Sequence, residues 1–439
     1  MMSEELRVLE QLRASIDRYP RSSHPEEYAT LQFNLGLALA ESPHGEHGDN
    51  LKLAIQAYAE ALEVFDERRY PLLRGRVLTA LGAAERDLGL TRIARDRFQE
   101  ATRVLHGLDS PAEIGSAFNN LGLAETDLAN AEEAIAAFDL ALDAFSDVRY
   151  ERQRAATLIN RGLARAAVGS ESSLQAATDD YRKALDLVEP ESAPYVYGLA
   201  NHSLGVALLS LPGDRTSLLS DSIRALDASL SIFTKSSYPF QHALAKNNLA
   251  VAYEEIALGD LTSQRRALAR LEEALMVFDP RVNAEQWREV NANFTRVLER
   301  LEAMTGHSNR LRHFVELLAA LSAPERLDLL RFRMRTYLDL PEPHRAQNLE
   351  ALDQAIIEFG NDSLPALTKD WLSILMEQPH EHLEAGLASR LAAQSEVDDQ
   401  FSGPSAVALE KALGHLEIIQ RMRVRDLLSA MGHERPEPG

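Results

Sequence analysis

Asn120-Leu121-Gly122-Leu123-Ala124, followed by Ala134, Phe138, Ala141 and Leu142, decides the fold, because the same frame recurs along the chain. A small residue stands inside a first helix at Gly36, Gly82, Gly122, Gly162, Gly205 and Ala250. The second helix carries another at Ala54, Ala94, Ala134, Ala177, Ser222 and Ala267. Four positions later comes Tyr58, Phe98, Phe138, Tyr181, Leu226 or Leu271, and three beyond that Ala61, Ala101, Ala141, Ala184, Ser229 or Ala274. Residues three and four apart share a helical face, so large and small side chains alternate along one seam. A Gly inside a helix costs roughly 1 kcal/mol relative to Ala. Gly at five of the six positions therefore points to a packing requirement, the close approach of helix B to helix A.

The intervals sharpen this reading. Ala61 to Gly82, Ala101 to Gly122, Ala141 to Gly162, Ala184 to Gly205 and Ser229 to Ala250 each span 21 residues. Within a repeat the interval varies, from 12 residues between Gly82 and Ala94 to 18 between Gly36 and Ala54. The junction between repeats is fixed, and the loop inside each repeat takes the insertions. Stacked hairpins require this, since each unit buries its apolar face only against its neighbours.

Leu-Gly-x-Ala in helix A, then Ala, an aromatic and Ala-Leu in helix B, resembles the tetratricopeptide family. The 40-residue spacing of Gly82, Gly122 and Gly162 is closer to its longer-helix members, such as kinesin light chains and some bacterial peptide-sensing regulators. The resemblance implies an all-α, right-handed superhelical solenoid of antiparallel helix pairs. Residues 1–23, with Leu6, Leu9, Leu12 and Ile16 before Tyr19-Pro20, read as a capping helix. Six to seven repeats fill 24–304, Trp287–Met304 being a seventh helix A without the signature Gly. Residues 305–432 read as a helical extension, either degenerate repeats or a separate domain, with helices at 307–321, 324–338, 344–359, 364–377, 380–395 and 404–430. Ser322 and Asp362 are its candidate helix caps, and 433–439 is a disordered tail.

Composition removes several classes of function. The chain has no Cys, which excludes disulfides, thiolate metal sites and Cys nucleophiles. Its acidic start lacks an apolar signal core, and no run approaches about 18 apolar residues, so a cytoplasmic protein with no membrane partner is expected. A net charge of −21 repels nucleic-acid phosphates and favours a basic partner. Phosphate-cradling Gly loops after strands, the two-histidine zinc-protease spacing and a nucleophile elbow are all missing. No catalytic residue, metal or cofactor is expected, and the chain reads as no enzyme. His44, His47 and Asp49 share one loop but have no supporting shell, and His380 and His382 diverge on a helix.

The informative column lies two residues before each signature position: Asn34, Ala80, Asn120, Asn160, Ser203, Asn248 and, in the seventh helix, Asn293. Asn competes with the helical backbone for hydrogen bonds, so five in one register need a reason. In tetratricopeptide proteins this position faces the concave groove, where the amide bonds a bound peptide. The resemblance thus implies a partner-binding ladder of Asn34, Asn120, Asn160, Asn248 and Asn293, with Asn119, His202 and Asn247 one position earlier. The competing reading is an amide ladder between repeats. Leu37, Ala83, Leu123, Leu163, Val206 and Val251 would give the groove an apolar floor. The family's two-carboxylate clamp is incomplete, since only Arg76 and Arg86 fall near its positions.

The sequence thus points to a scaffold or adaptor that holds a peptide or amphipathic helix of a partner protein. The alternative is a peptide- or ligand-sensing regulator whose superhelix changes on binding. Relatives of that kind carry an N-terminal effector segment, and only residues 1–23 precede the repeats here. Two arginine clusters, Arg326/Arg331/Arg333/Arg335 and Arg421/Arg423/Arg425, read as faces paired with acids or as a docking patch for another copy of the chain.

Overall fold

The computed structural model describes residues 4–256, 260–397 and 403–433. Among them there are helices and no strand, so the chain is all-α. The expected tail, past His433, lies outside the described residues. The helices fall into two compact units, Met1–Ala252 and Tyr253–Gly439. The sequence frame is expected to run on to residue 304, whereas the units part earlier, within the helix that carries Ala250.

The first unit opens with α1 (Glu4–Arg18), whose Leu9 is buried with Ala29 and Phe33 of the next helix. Five hairpins follow: α2 (Pro25–Ala40) with α3 (His47–Leu62), α4 (Pro71–Asp87) with α5 (Thr91–Leu105), α6 (Pro111–Asp127) with α7 (Ala131–Ala144), α8 (Glu151–Val168) with α9 (Glu171–Leu185), and α10 (Pro194–Ser210) with α11 (Arg215–Ile232). Each helix packs on the next along the chain, the stacking of a helical solenoid. α12 (Pro239–Ile256) begins the sixth repeat.

Helix starts follow local chemistry. Pro25, Pro71, Pro111, Pro194 and Pro239 each open a helix A, where a missing N–H breaks no bond and φ is already helical. α8 instead follows the 3-10 turn Val148–Tyr150, where Asp147 accepts the Arg149 N–H at 2.8 Å. The A-to-B loops of repeats four and five end on side-chain caps. Ser170 accepts the Ser173 N–H at 3.1 Å and Asp214 the Ser217 N–H at 3.4 Å. The loops of repeats two and three turn through left-handed backbone at Gly89 (φ +79°) and Ala129 (φ +61°), which occupy the same place in successive repeats.

The signature glycines hold each hairpin together. A Cβ on Gly82 would lie 2.6 Å from the Phe98 ring, one on Gly122 2.5 Å from Phe138, and one on Gly162 2.5 Å from Tyr181. Gly36 meets Tyr58 in the same way, and Gly205 meets Leu226 at 2.6 Å. All five large residues are buried. A second notch lies seven residues earlier, where Cβ atoms on Gly75 and Gly115 would each fall 2.5 Å from Leu105 and Phe145, and one on Gly198 3.0 Å from Phe233. The frame read from the sequence captured only the first of these two contacts.

The second unit contains α13 (Leu261–Leu275), α14 (Ala284–Thr305), α15 (Arg310–Ala320), α16 (Ala323–Leu338), α17 (His344–Phe359), α18 (Leu364–Met376), α19 (His380–Val397), α20 (Pro404–Gly414) and α21 (Ile418–Ala430). From α15 onward each helix packs chiefly on its next-but-one neighbour, α15 on α17, α17 on α19, α16 on α18 and α18 on α20. One continuous apolar core results, running from Phe314 through Trp371 to Leu428. Inside it the fully buried Arg390 lies over Trp371 at 5.3 Å, donates to the Thr368 hydroxyl at 3.0 Å and stands 3.6 Å from Asp353.

Two expectations are corrected here. Residues 404–430 form two helices rather than one, because the Glu417 N–H turns back to Gln420 Oε1 at 3.2 Å and restarts the helix at Ile418. Asp362 is no helix cap: it sits in the 3-10 turn Asn361–Ser363, and Ser363 precedes α18. Ser322 does precede α16, and its hydroxyl donates to Glu325 at 2.8 Å.

Left-handed backbone costs a residue with a Cβ about 1–2 kcal/mol, and Gly nothing, apart from its greater freedom when unfolded. Ala129→Gly should therefore raise the stability of the chain by about 0.5–1 kcal/mol. The readout is a higher denaturant midpoint. An unchanged or lower midpoint would show that the Ala129 turn is unstrained.

Candidate partner-binding face

Because α3, α5 and α7 cover one side of α2, α4 and α6, the opposite side of these A helices stays accessible. There the structure opens a hollow of about 340 Å³, lined by Phe33 and Leu37 of α2, Arg76, Ala80 and Ala83 of α4, and Asn120 of α6. Its origin is visible in the repeat. Ala80 stands where other repeats have Asn or Ser, and Ala83 where they have Leu or Val. Repeat two is short of side chain at two adjacent positions of one face. Arg76 crosses this hollow with its guanidinium 5.8 Å from the Phe33 ring, and Glu113 lines the same hollow. Among the described residues neither Arg76 nor Glu113 has an ion-pair partner. Arg86, the other basic residue near the clamp positions, is bound to Asp127 at 2.6 Å.

The eight residues expected to bind a partner divide by what their polar atoms touch. Asn34 is exposed and Asn120 half-buried, and neither side-chain amide makes a hydrogen bond within the described chain. Asn160 of α8 donates to Asn119 Oδ1 of α6 at 3.1 Å, and Thr157 donates to the same oxygen at 3.2 Å. Asn248 Nδ2 of α12 lies 3.5 Å from His202 Nε2 of α10. These are contacts between helix A of one repeat and helix A of the next. Desolvation lowers the His202 pKa to about 4, so its ring stays neutral at pH 7. Asn247 is buried, and Asn293 lies half-buried in α14 of the second unit. Four of the eight therefore join repeats to one another, and Asn34 and Asn120 carry the unspent amides. The pairing crosses from one register to its neighbour 41 or 46 residues on, which no periodicity in the sequence announces.

Of the arginine clusters, all four members on α16 find acids. Arg326 bonds Asp370 at 2.7 Å, Arg331 and Arg335 both bond Glu377 at 3.0 Å, and the buried Arg333 pairs with Glu272 beneath the Phe314 ring. On α21, Arg421 donates to the carbonyls of Leu413, Gly414 and Leu416 at 3.0 Å, closing the end of α20. Arg423 reaches His380 and Arg425 reaches Glu410. The acid-paired reading fits the α16 cluster, whereas on α21 only Arg425 meets an acid.

In the first inserted loop His44 lies 3.7 Å from Glu5, His47 opens α3, and Asp49 pairs with Lys52 at 2.8 Å, so the three do not converge. The one group of three such side chains whose ligand atoms converge among the described residues is His307, His313 and Glu316. No described helix is long and apolar enough to cross a membrane.

No family profile and no curated protein matches the chain. Among solved structures it is similar to the TPR2AB domain of yeast Sti1 in complex with pHSP90, at 17% identity over 61% of this chain and 98% of that one, TM-score 0.23. It is also similar to a circular tandem repeat protein with novel repeat topology and enhanced subunit contact surfaces, at 15% identity over 97% of this chain and 91% of that one, TM-score 0.20. The hairpin packing itself shows a tetratricopeptide-like helical repeat.

An interhelical hydrogen bond contributes about 1 kcal/mol net. Asn160→Ala should therefore lower the denaturation midpoint by an amount matching about 0.5–1.5 kcal/mol, while Asn120→Ala leaves it in place. Equal losses in both variants would show that the two amides do the same structural work.

Proposed function

We propose that this chain is a protein-interaction scaffold, which holds a segment of a partner protein against the accessible face of its A helices and performs no chemistry there. One observation carries the reading: the hollow at Ala80 and Ala83 combines an apolar floor with an unpaired guanidinium at Arg76 and an unspent amide at Asn120. An apolar pocket takes a side chain of the bound segment, and the amide and guanidinium bond its backbone or a carboxylate. The partner is a protein or peptide rather than a nucleic acid, given the charge of −21, and the same charge speeds the approach of a segment that is basic outside the pocket. The reading extends to a cytoplasmic location, to repeats in the longer-helix style of kinesin light chains running to residue 304, and to a helical extension over 305–432 that is free to support self-association.

The test uses peptides selected from a random display library on the full-length chain. Ala83→Trp fills the hollow from a half-buried position that also packs on Ala94 and Phe98. It should weaken the selected peptides at least tenfold with the helical circular dichroism retained, and Asn120→Ala, whose amide bonds no described group, should weaken them about five- to tenfold with the melting temperature in place, one lost hydrogen bond. Peptides that bind Ala83→Trp as tightly as the parent chain would overturn the assignment of this face.

A further inference from the structure

We propose that His307, His313 and Glu316 in the second unit form a binding site for a divalent transition-metal ion of the zinc type. A ring nitrogen of each histidine and a carboxylate oxygen of Glu316 lie within 4.8 Å of one another. His313 and Glu316 stand three apart on α15, hence on one helical face. His307 reaches them from the turn before the helix, where left-handed Gly306 (φ +79°) reverses the chain, and its ring stacks on that of His313 with centroids 4.2 Å apart.

The tautomer of His313 is what makes this a ligand set. His313 is fully buried, and its Nε2 bonds the His307 carbonyl at 3.1 Å. A carbonyl only accepts, so the proton is on Nε2 and the lone pair is on Nδ1. That Nδ1 is buried and has no hydrogen-bond partner, and the same is true of His307 Nδ1. A metal-ligating histidine characteristically gives its other N–H to a carbonyl or carboxylate, which fixes ring and tautomer. Here that bond is already made, and the Thr305 hydroxyl braces the same carbonyl at 3.2 Å. Burial also holds the pKa of His313 down, to about 4, and lowers that of His307, so protons do not compete for the nitrogens at pH 7.

Glu316 is held from both sides, by Arg265 on one oxygen and by Arg312 Nε on the other at 2.9 Å. Each carboxylate oxygen has a second lone pair, so one can ligate while its arginine remains as an outer partner. Ligands at about 2.0–2.1 Å from a tetrahedral ion stand about 3.4 Å apart, so loading requires the three groups to close by about an ångström. Two imidazoles and one carboxylate suit zinc, cobalt or nickel rather than calcium or magnesium. The two arginines disfavour added positive charge, which sets the affinity below that of an all-anionic site.

The experiment titrates the untagged full-length chain with Co2+, followed by visible absorption, and with Zn2+, followed by calorimetry. The expected result is one ion per chain and a Co2+ spectrum abolished by Zn2+. His307→Ala and Glu316→Gln, both chosen because their side chains are only half-buried, should each weaken Zn2+ at least tenfold with unchanged circular dichroism, while a His44→Ala/His47→Ala variant binds as the parent does. Zn2+ should also shift the His313 Nδ1 resonance in the unaltered protein, a readout that needs no substitution. Absence of binding, binding that survives either His307→Ala or Glu316→Gln undiminished, or an unmoved His313 resonance would overturn the site.

Discussion

In each hairpin of the first unit a bulky side chain of helix B rests against bare backbone of helix A. A ring such as Phe138 needs room that a Cβ on Gly122 would occupy, so the sequence accepts the helix-weakening effect of glycine to bring two axes together. Protein interiors tolerate neither voids nor overlap, and this contact therefore fixes the separation of the pair. Repetition of one contact at one register turns local packing into an extended structure. The second notch, at Gly75, Gly115 and Gly198, makes the same demand two turns closer to the start of helix A. Two points of contact fix the crossing of the helices as well as their distance.

The accessible face follows from that geometry. With helix B locked on one side, the other side of α2, α4 and α6 stays accessible at the hollow. Small side chains there leave space, as Ala80 and Ala83 of repeat two do around Phe33, Leu37 and Asn120. Where amides are present in later repeats, they fasten one helix A to the next, as Asn160 does to Asn119. The same column thus serves two ends: cohesion late in the unit and an open, partly polar hollow early in it. From α15 onward the second unit is held differently, by next-but-one packing around Trp371.

Much of this was legible in the sequence, for a physical reason. A glycine that must face a ring leaves a mark at a fixed position in every repeat, and Gly36, Gly82, Gly122, Gly162 and Gly205 all bear it. Pro25, Pro71, Pro111, Pro194 and Pro239 mark the helix starts equally plainly, although they lie outside the frame of small and large residues. The division of the Asn column was not legible. Whether an amide faces a neighbour depends on the lateral offset of successive helices, which no one-dimensional pattern encodes. Nor could the sequence bring His307 onto His313, since that meeting depends on the backbone reversal at Gly306. The break between α20 and α21 was written as Glu417-Ile418-Ile419-Gln420, but the apolar positions on either side continue the helical period and hide it.

The central claim is that the glycines exist to admit the rings, and one series of chemical denaturation measurements tests it most directly. The sequence of the sixth repeat carries Ala250 and Leu271 at the two positions held by Gly122 and Phe138, a smaller combination in the same frame. Gly122→Ala alone should lose about 1–3 kcal/mol through overpacking, and adding Phe138→Leu should restore most of it. If Gly122→Ala instead gains the roughly 1 kcal/mol that alanine brings to a helix interior, the ring does not need the notch and the account of the repeat is wrong.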